Sequence, residues 1–329
     1  MAEVKGKAPI PPMPGPASGS ANPAASLSAL WAYLLPALNH IVKSPVNSDK
    51  PRAPAIDMAF YAGIHTACYN YFTAQSEAKP PPSRSSTEPA SGTDLYEQLD
   101  KYFMETTREI MLGAPHDDAT LIQYIVPCFN RFSAGAVSVN RLLNYVNRHY
   151  VKRAVDEDKG WLRLSDVLES VAKTIYADDT REKVSEKLRE KRIEELTKWG
   201  YKTDGTGTPA AAAEACAEAA SPLDRVVPVT ALAHRRFRTE VIDPLLSVPA
   251  VKGKKSKHKT PKAGSAPPTP KGRLARAVKE LLEGEGGDEA EKTRLATDLS
   301  AALRLIGIRV DHPLRKRLDK FIASQSPGA

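Results

Sequence analysis

Seven histidines, His40, His65, His116, His149, His234, His258 and His312, are the side chains best suited to grip a metal or move a proton near neutral pH. A helical zinc site needs two imidazoles on one turn, and no His-x3-His or HExxH spacing occurs among them. His116-Asp117-Asp118 is the one tight polar cluster, and it stands just before an apolar helical stretch, where an aspartate ordinarily caps the helix start. Cys68, Cys128 and Cys216 are odd in number and widely spaced, which fits neither a disulfide framework nor a zinc site. Cys68 lies in an apolar helical stretch and Cys128 follows a proline in another, so both read as buried structural thiols rather than nucleophiles. Gly205-Thr206-Gly207 is too short for a phosphate loop. The sequence therefore predicts a non-enzyme, without catalytic residues, metal or cofactor, whose work is binding.

Composition bounds what can fold. With 27 prolines against seven Phe and three Trp in 329 residues, part of the chain is expected to be disordered, because it buries too little apolar surface to offset its ordering entropy. The formal net charge is +8, yet nine basic residues and no acidic ones fall between Val251 and Arg276. Removing those nine leaves the rest of the chain at −1, so the basic balance belongs to one Lys/Pro/Ser-rich stretch. Its Lys252, Lys254, Lys255, Lys257, Lys259 and Lys262 read as a solvated linker, or as a polyanion-binding or nuclear-import patch. No aromatic residue interleaves these lysines, so base stacking has no support and nucleic acid is not the expected partner. Neither a signal peptide nor a membrane-spanning stretch is legible, and the expected location is inside the cell, in cytoplasm, nucleus or both.

The candidate residues need helices to hold them, and helical spacing dominates. Leu27 to Val42 is opened by Ser26 or Ser28, with Pro36 expected to kink it. Ala55 to Gln75 forms a second helix, followed by a flexible connector over KPPPSRSSTEPASG. Thr93 or Asp94 caps a third, which Gly113 and Pro115 end. Asp117 or Asp118 begins a fourth, interrupted by Pro127 and released at SAGAVS. The fifth is NRLLNYVNRHYVKRAVDED, Asn140 to Asp158. Five helices joined by polar turns predict an all-α, up-and-down bundle over 26–160, after a disordered tail over 1–25. Residues 161–228 read as an insertion with a charged peripheral helix and a weak alanine helix. A helix over 229–247, the basic linker over 248–272 and further helices over 273–329 complete the chain.

The fifth segment has two faces. Val139, Leu142, Leu143, Val146 and Tyr150 gather on one side, and Asn140, Asn144, Asn147 and Val151 on another. Its order of residues resembles the hallmark helix of the cullin amino-terminal domain, through Tyr145, Asn147-Arg148-His149, Tyr150, Lys152-Arg153 and the acidic turn at Asp156. The second helix also carries two apolar stripes, roughly 120° apart: Met58, Tyr61, His65, Cys68 and Phe72, against Ile56, Phe60, Ile64, Ala67 and Tyr71. One stripe faces the bundle, and the other faces either a neighbouring helix or a partner. FYAGIHTACYNYFTA is similar to the second helix of cullins that bind Skp-type adaptors, with Tyr69-Asn70-Tyr71 as the clearest match. DLYEQLDKYF, Arg131-Phe132-Ser133, HRRFRTEVIDPLL and TRLATDLSAALRLIGI resemble later cullin helices.

The resemblance implies a cullin-repeat-like helical scaffold of a ubiquitin ligase, holding a Skp-type adaptor with its F-box protein. The docking residues it implies are Tyr61, Ala62, His65, Cys68 and Tyr69 on the second helix, with Asn140, Asn144, Asn147, Arg148 and Val151 on the fifth. Ala62 and His65 stand where the family carries larger apolar groups. The carboxy-terminal region through which cullins recruit a RING-type subunit has no counterpart here, so that subunit is not an expected partner of this chain. A truncated competitor that occupies adaptors, and a polyanion-binding protein acting through 252–262, are the alternatives.

Overall fold

The computed structural model describes residues 26–44, 53–77, 91–172, 174–176, 179–248, 272–284 and 288–325. The tail over 1–25, most of the connector after Glu77 and the six lysines of the basic stretch lie outside these residues. Apart from one isolated bridge between Tyr201 and Thr208, every regular element among the described residues is helical. The all-α expectation is what forms.

Four long helices open the chain: α1 (Leu27–Lys43), α2 (Met58–Glu77), α3 (Thr93–Leu112) and α4 (Asp118–Leu142). Ser26 caps α1 by accepting the Ala29 amide at 3.2 Å, and Asp117 caps α4 by accepting that of Thr120 at 3.2 Å. Asp94 was expected as a possible cap of α3, but α3 begins after Gly92, whose φ of 88° is open to glycine. The Asp94 carboxylate instead accepts from the Tyr71 hydroxyl and, at 2.8 Å, from Gln75 Nε2, tying α3 to α2.

The expected breaks in α4 do not occur. Pro127 sits inside the helix at an exposed position and does not end it. SAGAVS does not release the chain either, because Gly135 and Ala136 are buried contact residues. A first side-chain carbon at Gly135 would lie 3.1 Å from Val42 Cα and 3.2 Å from the Ile41 carbonyl oxygen. Small residues here bring α1 and α4 backbone to backbone. The chain bends only at Leu143, and α5 (144–156) follows, with a π turn over Asn147–Val151 between two α-helical ends.

Residues 161–228 contain α6 (Leu164–Ala172), α7 (Arg181–Thr197) and α8 (Ala210–Ala220). The charged α7 is peripheral, with Leu196 its one buried residue. The alanine helix is better anchored than expected. Ala213, Cys216, Ala217 and Ala219 of α8 are buried against α9 (229–246) and α11 (Glu289–Leu305). Helices α10 (Arg273–Glu283) and α12 (Pro313–Gln325) complete the set.

Helix α4 is the hub, packing on α1, α2, α9, α10 and α11. One buried cluster therefore runs from Leu30 to Leu318, with Phe103, Phe129, Phe132 and Phe237 at its centre and ring centroids 5.0–6.0 Å apart. Arginines lock its outside: Arg236 Nε donates to Asp100 Oδ1 at 2.6 Å, and Arg276 Nε donates to Asp118 Oδ2 at 2.8 Å. The basic stretch is not a spacer between distant bodies. Both its flanks are on α9 and α10, which touch, and a side chain on Gly272 would overlap the Leu246 carbonyl oxygen.

Candidate functional site

Helix α2 lies on the bundle with Phe60, Ile64, Ala67, Cys68, Tyr71 and Phe72 turned inward. Its other side is open: Met58 is 77% exposed, Tyr61 36% and Tyr69 50%, and Ala62 and His65 are exposed with them. The stripe of Met58, Tyr61, His65, Cys68 and Phe72, expected to face either a neighbouring helix or a partner, divides. Cys68 and Phe72 belong to the core, while Met58, Tyr61 and His65 remain at the surface.

Tyr145, on α5, organises this face. Its ring takes edge contacts from His65 at 5.9 Å, Tyr69 at 5.9 Å and Phe72 at 5.2 Å, and His149 stacks on it at 4.0 Å. Near-perpendicular pairs bring the positive edge of one ring to the negative face of the other, an arrangement that favours the orientations of His65, Tyr69 and Phe72 around Tyr145. Tyr61 is fixed separately, its hydroxyl donating to the Arg141 carbonyl at 3.3 Å. Two clefts flank the aromatic strip. One, of about 670 Å3, lies beside Tyr61, Ile56, Val137 and Arg141, and the other, of about 460 Å3, lies over Phe72, Tyr145, His149 and Arg153.

Four of the expected docking residues belong elsewhere. Cys68 is 1% exposed, and burial pushes its thiol up to about 12. Val151 is 4% exposed and lies in the core beside Tyr150, within the π turn. Asn140 and Asn147 are engaged internally: Asn147 Nδ2 donates to Asn140 Oδ1 at 2.9 Å. Their carbonyl oxygens then accept the first two amides of α9, Val229 N on Asn147 at 3.1 Å and Thr230 N on Asn140 at 3.2 Å. Pro228 precedes α9 and has no side chain that can cap it. The asparagines expected to set register with a partner are the missing cap. Asn144 and Arg148 stay exposed next to the aromatic strip.

Sequence reasoning missed Tyr145 as a site residue, although it named Tyr145 in the motif. A tyrosine at 145 lies four residues before His149, the spacing at which helix side chains meet, and that was the available signal. The capping pair had no local signal, since its target lies 82 residues downstream in the chain.

The geometry offers shape and apolar area rather than reactivity. Burial also pushes the thiols of Cys128 and Cys216 up, which keeps them protonated and poor nucleophiles. Among the described residues no group of three or more His, Cys, Asp or Glu side chains converges as a metal site, and no helix is long and apolar enough to cross a membrane. Tyr61, Ala62, His65, Tyr69, Asn144, Arg148 and His149 are exposed around the half-buried Tyr145.

No protein-family model and no solved structure matches the chain. It is similar to cell division control protein 53 of Saccharomyces cerevisiae, a cullin, with 26% identity over 140 residues. That match covers 40% of this chain and 17% of the relative, so the chain spans under a fifth of the protein it resembles. With the all-α bundle, this places the chain's likeness with cullin repeats.

Proposed function

We propose that the chain is a non-catalytic scaffold of a cullin-type ubiquitin ligase, and that the α2–α5 face docks a Skp-type adaptor carrying an F-box protein. The observation that carries this reading is the aromatic strip ordered around Tyr145. Its rings are held in place before any partner arrives, so docking costs little side-chain entropy. Tyrosine and histidine offer an apolar body with a polar tip, the composition favoured at the centre of interfaces. The likeness to a yeast cullin supports the same reading. Ala62 and His65 present less apolar area than larger residues would, which lowers the affinity this face offers an adaptor by about 1–2 kcal/mol. Co-purification of the full chain with a Skp-type adaptor bound to its F-box protein tests this. Recovery of a stoichiometric complex is expected, and failure to form one with any member of that adaptor class would overturn it.

A further inference from the structure

The two helices of the docking face differ in charge. Between Asp57 and Glu77, α2 carries no charged residue. Arg141, at the end of α4, and Arg148 and Lys152, on α5, are all exposed, with Asn144 between the first two. Arg148 and Lys152 stand four residues apart on α5 and are exposed, while Val146, Tyr150 and Ala154 of the same helix are buried. Arg141 shares a cleft with Tyr61, and Arg148 directly precedes His149, which stacks on Tyr145. Among the described residues none of these three is in an ion pair. The next position shows the contrast: Arg153 Nε is held by Glu157 Oε1 at 2.9 Å.

We infer that this ridge is the electrostatic half of the docking face, and that it selects a partner protein whose apolar centre is bordered by Asp and Glu. The inference rests on the docking reading above. An uncharged aromatic strip supplies affinity, whereas solvated cations at its border attract carboxylates over distance and fix orientation. A nucleic-acid partner fits less well. Three cations fall short of the six to ten phosphate contacts common in such complexes.

The test is the association rate of the full chain with a purified Skp-type adaptor–F-box complex at about 50 and about 500 mM salt. The wild-type chain is compared with the triple variant Arg141→Glu, Arg148→Glu, Lys152→Glu. The wild type is expected to associate roughly ten-fold or more slowly at high salt, and the triple variant to show a similar loss at low salt with little change in dissociation rate. Salt-independent wild-type association, or a triple variant that associates like wild type, would overturn the ridge while leaving the docking face standing. Absence of wild-type binding would overturn both. Binding of a short single-stranded RNA, lost in the triple variant, would reassign the ridge to nucleic acid. If the triple variant loses helicity by circular dichroism, the wild-type salt series decides alone.

Discussion

The side-chain carbonyl of Asn147 accepts the Val229 amide at 3.1 Å, closing the start of α9 from a position 82 residues earlier in the chain. Asn140 does the same for Thr230 and is itself held by Asn147 Nδ2 at 2.9 Å. The pair couples the helix that carries the proposed docking face to α9, which packs in the core.

Loss of that cap is costly in both helices. Asn147→Ala should destabilise the chain by about 1–3 kcal/mol, because it removes one cap bond and strands a part-buried amide. Asn140→Ala should cost about as much, and the double variant less than the sum, since the two side chains share one network. Urea unfolding of the single and double variants measures this.

Protonation of His234 opposes folding. The imidazole is buried against Phe129 with Ser133 Oγ 2.9 Å from Nε2, and burial lowers its pKa to about 4. The unfolded chain, with histidine near 6.5, binds the proton more readily, so stability falls as pH drops from about 6.5 towards 4. The loss attributable to this residue is roughly 3 kcal/mol at most. His234→Gln keeps a hydrogen-bonding group and should flatten that part of the stability–pH curve; thermal unfolding between those pH values reads it.

Gly135 tolerates little. A side chain there meets the backbone of Ile41 and Val42, neither of which can move without shifting α1. Gly135→Leu should cost about 1–3 kcal/mol or more, seen as a lower urea midpoint at unchanged slope.

Much of this was legible from residue pattern and the rest was not, for identifiable reasons. Helical periodicity located α1 to α3, and Gly113 ended α3 as expected. Gly135 and Pro127 misled, because glycine serves close packing as readily as a turn, and an exposed proline can sit within a long helix. Of the expected docking residues, Tyr61, Ala62, His65, Tyr69, Asn144 and Arg148 are exposed, as an outer helix face implies, but burial of Cys68 and Val151 depends on neighbours distant in the chain. Asn140 and Asn147 looked like a polar outer face because their partner, the uncapped start of α9, is visible only once the chain has folded.

The segment between Val248 and Gly272 closes on touching helices. Replacing residues 249–271 by a short Gly/Ser connector should leave the fold intact and raise stability by about 1 kcal/mol through cheaper loop closure. A fall in melting temperature would show that the segment contributes to packing.

The docking face is tested most directly by the dissociation constant of the full chain for a purified Skp-type adaptor bound to its F-box protein. The wild type should bind, and Tyr61→Ala combined with His65→Ala should weaken binding at least about ten-fold, roughly 1.4 kcal/mol, with helicity unchanged. A double variant that binds as tightly as the wild type would contradict the α2–α5 face as the docking site.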